Sequence, residues 1–296
     1  MRAFDFVAAT SAQHAAALLA EHGSSARLLA GGTDLLVELK EAAAVPRVVI
    51  DLSRARDLKR IALTAAGLSI GALATHAEIM ASPLVRAHAP VLVDAAHSIG
   101  AAQTRNLGTL GGNLVSGVPS MDGGPALFAL DAELVLLNAS GRREMPISDF
   151  FLGPRRTVLQ ADELLAEIVI PKANLGKPAC FRKFGLRKGQ ALALVNVAVS
   201  AWFDWDAHAF SAPRIALGAV APTVVRARKA EAYLERRAVT LDAMAEAGRI
   251  AADEARPIDD FRASAGYRRD LVAVLTRRAL FSAHAAALRV HEAAGT

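Results

Sequence analysis

The chain has 296 residues, a net charge of +5 and 53% hydrophobic residues. At roughly 100–200 residues per domain, that is enough for two domains and a large core. A single cysteine, Cys180, excludes an intrachain disulfide, a cysteine-ligated iron–sulfur cluster and a structural zinc site.

Cys180 reads as an inert, partly buried thiol. The basic residues are scattered, with small clusters only at 182–188 and 277–280, and only 5% of residues are aromatic. Without a basic stripe or stacking platforms, nucleic acid is not the expected partner. No apolar run approaches the ~20 residues of a membrane span. The opening segment MRAFDFVAATSAQH also lacks the apolar stretch of a signal peptide. The expectation is a cytoplasmic protein without a membrane span.

The first ~55 residues alternate helix and strand signals. Thr10 with Gln13 suggests a capping box for a helix over 11–22. A short apolar run at 27–30 leads into Gly31-Gly32, and a second at 47–52 follows Pro46 as a buried strand. From 56 to 175 the pattern changes. Strands are predicted at 68–74, 133–137 and 164–170, and helices at 76–80 and 91–99. The Gly-rich segment 108–124 reads as neither helix nor strand. Residues 172–178, punctuated by Gly176 and Pro178, are the linker candidate. Beyond them, strands at 191–203 and 213–220 precede a helical stretch from 226 onward. It includes an amphipathic helix over 267–288 with Leu271, Leu275 and Ala279 in one stripe.

Two loops concentrate the chemistry: Ala30-Gly31-Gly32-Thr33-Asp34 and Thr109-Leu110-Gly111-Gly112-Asn113. Glycine admits positive φ and close ligand approach. Runs of exposed amides form anion nests suited to a pyrophosphate. Thr33, Thr109, Asn113 and Ser116 add small polar groups. Tight turns are the plainer reading of each loop; the matched pair shifts the balance towards phosphate.

No G-x-G-x-x-G opens a helix, and there is no P-loop and no G-x-S-x-G elbow. The histidines show no metal-ligand spacing. His76 and His97 read as surface or core residues, so no metal site and no catalytic dyad are expected.

LLAGGTDLLVELK at 28–40 and RNLGTLGGNLVSGVPSMDGGPALFALDAELVL at 105–136 resemble the two flavin-binding segments of molybdenum-hydroxylase flavoproteins. These are the FAD-binding medium subunits of the xanthine dehydrogenase and carbon monoxide dehydrogenase type. KFGLRKGQALALVNVAV at 183–199 is similar to the family's link into its C-terminal domain. LGAVAPTVVRARKAEAYL at 217–234 and PIDDFRASAGYRRDLVAVLTRRAL at 257–280 resemble that domain itself. The resemblance runs from about residue 3 to 290.

It implies an α+β fold in two parts. A two-subdomain FAD-binding domain of the vanillyl-alcohol-oxidase and p-cresol-methylhydroxylase type spans 1–175, divided near 55. A smaller α+β C-terminal domain spans 178–290. Leu29, Ala30, Gly31, Gly32, Thr33, Asp34 and Leu35 are expected around the FAD pyrophosphate, with Asp34 near the ribose end. Thr109, Gly112, Asn113 and Ser116 are expected on the phosphates and ribityl chain, and Asp122 on the adenosine part. Leu165 is expected near the adenine and Lys183 near the isoalloxazine; a solvated basic patch is the other reading of Lys183 and Arg187.

Neither loop contains a histidine, so the FAD is expected to be noncovalent. The implied partners are a molybdopterin-binding large subunit and a small subunit with two 2Fe–2S clusters, as a heterotrimer or a dimer of heterotrimers. NAD+, a quinone or oxygen is the implied acceptor, and the 183–199 segment leans towards a purine or N-heteroaromatic substrate. A stand-alone FAD oxidoreductase is the rival reading, opposed by the C-terminal match. A fold-sharing assembly factor without FAD is opposed by the intact Gly31-Gly32, Gly111-Gly112 and Asp122.

Overall fold

The computed structural model describes residues 3–41, 45–187, 189 and 192–294. The first layer contains β1 (Asp5–Ala8), α1 (Ala12–His22), β2 (Ala26–Leu29), α2 (Leu35–Glu41) and β3 (Val48–Asp51). Its strands form a parallel sheet in the order β1-β3-β2. The middle strand carries three consecutive buried residues, Val48, Val49 and Ile50, as a strand covered on both faces requires. Helix α1 is capped one residue later than predicted. The Ser11 side chain accepts from the His14 amide, while the Thr10 hydroxyl pairs with the His14 ring.

The second layer runs through β4 (Ile61–Leu63), β5 (Gly67–Gly71), α3 (His76–Ala81), α4 (Pro83–His88), α5 (Pro90–His97), α6 (Ala102–Leu107), α7 (Leu110–Val115) and α8 (Gly123–Ala129). It continues through β6 (Glu133–Asn138), β7 (Gly141–Pro146), the small pair β8 (Phe151–Gly153) and β9 (Arg156–Thr157), and β10 (Leu164–Pro171). Its main sheet has the antiparallel order β4-β5-β10-β6-β7. The Gly-rich stretch, expected to be irregular, contains α7 and opens α8. Thr109 caps α7 by accepting from the Gly112 amide, which offsets the helix-breaking cost of two glycines.

The third layer comprises β11 (Ala179–Gly185), β12 (Ala193–Asp204), β13 (Ala209–Gly218) and β14 (Val225–Arg226), followed by α9 (Arg228–Leu234), α10 (Leu241–Glu254) and α11 (Ala265–Ala294). The strands form a sheet in that order. Strand β12 is buried on both faces, and its alternation sorts the two environments. Val195, Val197 and Val199 join the core beneath the C-terminal helices. Ala198, between them, joins the core of the second layer, and Ser200 donates to the Ala129 carbonyl of α8.

The predicted linker is pinned rather than free. Lys172 N donates to Ala66 O, Gly176 N to His88 O, and the buried Lys177 ammonium to Ala212 O at 2.7 Å.

Helix α11 is long and apolar enough to cross a membrane by length and composition. Its buried stripe of Val272, Leu275, Ala279, Leu280 and Ala283 instead belongs to the C-terminal core. Arg268, at the start of this helix, donates to Leu194 O of β12 at 2.6 Å and to Asp260 Oδ1 at 2.9 Å. The RASAGYRR segment thereby fastens the helix to the sheet.

Candidate cofactor cleft

A cleft of about 1210 Å³ opens between the first two layers. That exceeds the roughly 300–1,000 Å³ of ordinary small-molecule sites. One wall is the loop at the carboxyl end of β2, the usual ligand edge of a parallel strand. The other is built from the start of α7 and the 120–122 turn. Of the residues expected at the cofactor, Ala30, Gly31, Gly32, Thr33, Asp34, Leu35, Thr109, Gly112, Asn113, Ser116, Asp122 and Leu165 line this space. Leu29 and Lys183 stand outside the lining.

The two glycine loops, alike in sequence, differ in what they offer. Among the described residues, the amides of Gly31, Gly32, Thr33, Asp34 and Leu35 have no backbone partner outside regular elements. Gly32 sits at φ 72°, the left-handed conformation the turn requires. A run of unpaired amides beside a positive-φ glycine is what an anion nest is made from.

The second loop is not a nest. Leu110 N donates to Ala74 O and Gly111 N to Ala72 O, while Asn113 N returns to Thr109 O. Gly112 N is taken by the Thr109 hydroxyl at 3.0 Å. What this loop provides is shape. A Cβ on Gly112 would meet only Thr109 Oγ1 within 4 Å, so a side chain there projects into the cleft. Gly112 is helical and needs no positive φ, contrary to the sequence argument.

The loops hold one another. Gly31 packs against the backbone of Leu107 and Gly108 so tightly that a Cβ would overlap the Leu107 carbonyl. Ser116 Oγ donates to Asp34 Oδ2 at 2.7 Å.

Asp122 is buried. Its Oδ2 accepts from Lys183 Nζ at 2.5 Å, and its Oδ1 from Asn196 Nδ2 at 2.7 Å. Lys183 also donates to Ser98 O at 3.1 Å. Of the two readings of Lys183, the solvated patch is excluded. It is an inward-facing ion pair at the cleft wall. Burial pushes the Asp122 carboxyl up from its ordinary value, and the Lys183 ammonium opposes that shift.

His76 lines the cleft and was read from sequence only as an unremarkable histidine. It is 2% exposed, and its Nδ1 has no hydrogen-bond partner. Burial, reinforced by the Arg105 charge, lowers it from 6.5 to about 4, so it is neutral at neutral pH. The signal that could have placed it is Thr75-His76-Ala77-Glu78. This is a complete capping box in the structure, with Thr75 Oγ1 accepting from Glu78 N and Glu78 Oε2 from Thr75 N. It fixes His76 in the first turn of α3, where its own amide donates to Gly108 O. Arg155 and Leu192 also line the cleft without a local motif to announce them.

Comparison with known proteins agrees with this geometry. Residues 2–173 match the FAD binding domain in molybdopterin dehydrogenase, and residues 159–283 match the CO dehydrogenase flavoprotein C-terminal domain. The chain belongs to this family, the FAD-binding medium subunits of molybdenum hydroxylases. It is 34% identical to the carbon monoxide dehydrogenase medium chain of Hydrogenophaga pseudoflava, covering 95% of this chain and 97% of that one. It is 32% identical to the nicotinate dehydrogenase FAD-subunit of Eubacterium barkeri, over 92% and 93% of the two chains.

A solved structure of carbon monoxide dehydrogenase from Hydrogenophaga pseudoflava superposes with a TM-score of 0.91 at 36% identity, over 96% of this chain and 98% of that chain. Quinoline 2-oxidoreductase from Pseudomonas putida 86 superposes with a TM-score of 0.89 at 29% identity, over 96% and 98%. The chain is thus an FAD-binding flavoprotein subunit of a xanthine dehydrogenase-family oxidoreductase. Its relatives of 34 and 32% identity are named for carbon monoxide and nicotinate, and neither substrate class is singled out.

Proposed function

We propose that this subunit carries electrons away from a molybdenum centre held on another chain. In this reading, a large molybdopterin subunit oxidises the substrate and a small subunit with two 2Fe–2S clusters relays the electrons. The FAD of this chain then passes them to NAD+, a quinone or oxygen. The single observation that carries the reading is the run of five successive amides at 31–35 without a backbone acceptor, in a loop that lines the cleft. It supplies directed donors for a pyrophosphate without a cationic side chain.

The residues fit the cofactor. Gly31 to Leu35 would hold the pyrophosphate. The open side of Gly112 leaves room for the chain beside it, and Asn113 and Asp122 offer polar groups along the opposite wall. Leu165 supplies apolar wall. Bound FAD supplies an acceptor that takes electrons singly and releases them in pairs. The protein's own part is to orient it, exclude water and set the charge around it. Lys183, reached through Asp122, places a fixed cation just behind the cleft wall.

The test is expression of the tagged chain with its partner subunits, followed by a visible spectrum and metal analysis of the purified material. The expected result is one FAD with molybdenum and about four iron atoms, the content of two 2Fe–2S clusters. FAD with a single polypeptide and its own turnover overturns the reading.

Gly112→Val gives a sharper check of the cleft. Its Cβ would meet only Thr109 Oγ1, at 2.9 Å, so the hydroxyl that caps α7 must shift while the core is left intact. Its affinity for FAD should fall at least about tenfold, the equivalent of one lost well-packed contact. Equilibrium titration with FAD measures this, and unchanged affinity removes Gly112 from the site.

A further inference from the structure

We infer that Asn196, in the C-terminal sheet, is a positioning residue for the FAD cleft, acting through Asp122, and that Gly218 exists to make room for it. The inference rests on the FAD reading above. Asn196 is fully buried and stands on the face of β12 turned towards the cofactor-binding layers. Its Nδ2 donates to Asp122 Oδ1 at 2.7 Å and to Met121 O at 3.0 Å. Lys183, its register partner on β11, takes the other carboxylate oxygen. Adjacent strands of one sheet therefore grip both oxygens of a carboxylate that lines the cleft in another layer, which leaves Asp122 no free rotation.

Two details show that the amide is placed for this purpose. Asn196 Oδ1 is buried without a partner. Such an orphaned acceptor is costly, and the side chain bears that cost while its Nδ2 serves Asp122 and Met121. On the other side, Gly218 is the register partner of Asn196 on β13. A Cβ there would overlap Asn196 Oδ1 and come within 2.9 Å of Pro125 Cγ. The glycine has no positive φ to explain it, so its use is space, first for the amide and then for Pro125.

The test compares FAD titrations of the full-length chain with thermal unfolding of the FAD-free protein. Asn196→Leu keeps the branched shape with somewhat more bulk and removes the donor. It is expected to lower the melting temperature of the FAD-free chain, because Asp122 Oδ1 and the Met121 carbonyl lose their donor, and to weaken FAD binding about tenfold. Ser200→Ala, which removes a buried donor to Ala129 O from the same face of β12, is expected to lower the melting temperature and leave FAD affinity unchanged. Should leucine prevent folding, Asn196→Ala, which only removes atoms, carries the same comparison.

Gly218→Ala is expected to weaken binding to a similar extent on its own and clearly less in the Asn196→Ala background, where the overlap with the amide is gone and only the 2.9 Å approach to Pro125 Cγ remains. Wild-type affinity in both Asn196 variants overturns the positioning role. So does an equal loss of affinity in Ser200→Ala, or a Gly218→Ala effect that is undiminished without the amide. A wild-type chain that fails to bind FAD overturns the cofactor reading instead, and the two failures are distinct.

Discussion

Gly31→Val is expected to abolish FAD retention and to lower the stability of the chain by about 3 kcal/mol, the upper range for an overpacked site. The Cβ of any residue at this position would overlap the Leu107 carbonyl oxygen and lie 3.0 Å from Gly108 N. Both obstacles are backbone, so no side-chain rotation relieves them. The 105–108 segment is itself held, by Gly108 N to Thr104 O and by His76 N to Gly108 O. Relief therefore requires the two cofactor loops to separate, and separation disperses the amides of the nest. Urea denaturation and FAD titration of the purified variant measure the two effects. A variant that keeps stoichiometric FAD would show that the loops do not form one site. The contrast with Gly112 is instructive: there the missing side chain leaves room for a ligand, whereas at Gly31 it leaves room for another loop.

The sequence made the buried strands β3, β5, β6, β10, β12 and β13 legible, because apolar runs report a strand's surroundings directly. The edge strands β1, β4, β7, β11 and β14 were not read, because most of them are short or polar on their exposed side. The two glycine loops were also legible, and they do face one cleft. What composition could not convey was where their amides point. Residues 30–35 and 109–113 look interchangeable, yet the second loop spends its donors on the carbonyls of Ala72 and Ala74, contacts that no local pattern announces. The cap on α7 was hidden for a related reason. Gly111 and Gly112 lower helix propensity, but Thr109 and the packing of Gly111 against Ala72 override it. Lys183 and Asp122 lie 61 positions apart; each was singled out alone, and only the fold made them a pair. Asn196 carried no signal at all, because a polar residue inside an apolar strand is interpretable only when its partner is known.

His76 is a cleft residue whose burial ties the stability of the chain to pH on the acid side of neutrality. Its ordinary value of 6.5 falls to about 4 in the folded chain, so between those values the unfolded chain binds a proton that the folded chain refuses. Stability from this group is therefore complete above about pH 6.5 and is lost as pH falls towards 4. The full difference corresponds to about 3 kcal/mol. The cause is burial first and the Arg105 charge second, with no acceptor at Nδ1 to offset either.

Denaturant midpoints of wild type and His76→Gln, measured across pH 4 to 7, isolate the effect. Carboxylates such as Asp122 and Glu163 titrate in both proteins and cancel in the comparison. The wild-type midpoint is expected to fall more steeply than that of the variant on acidification, and the two to run parallel above pH 6.5. Parallel curves over the whole range would mean that His76 takes up its proton in the folded chain without penalty. That would require a water or an acceptor at Nδ1 and would make the histidine a charged element of the cleft wall instead of a neutral one.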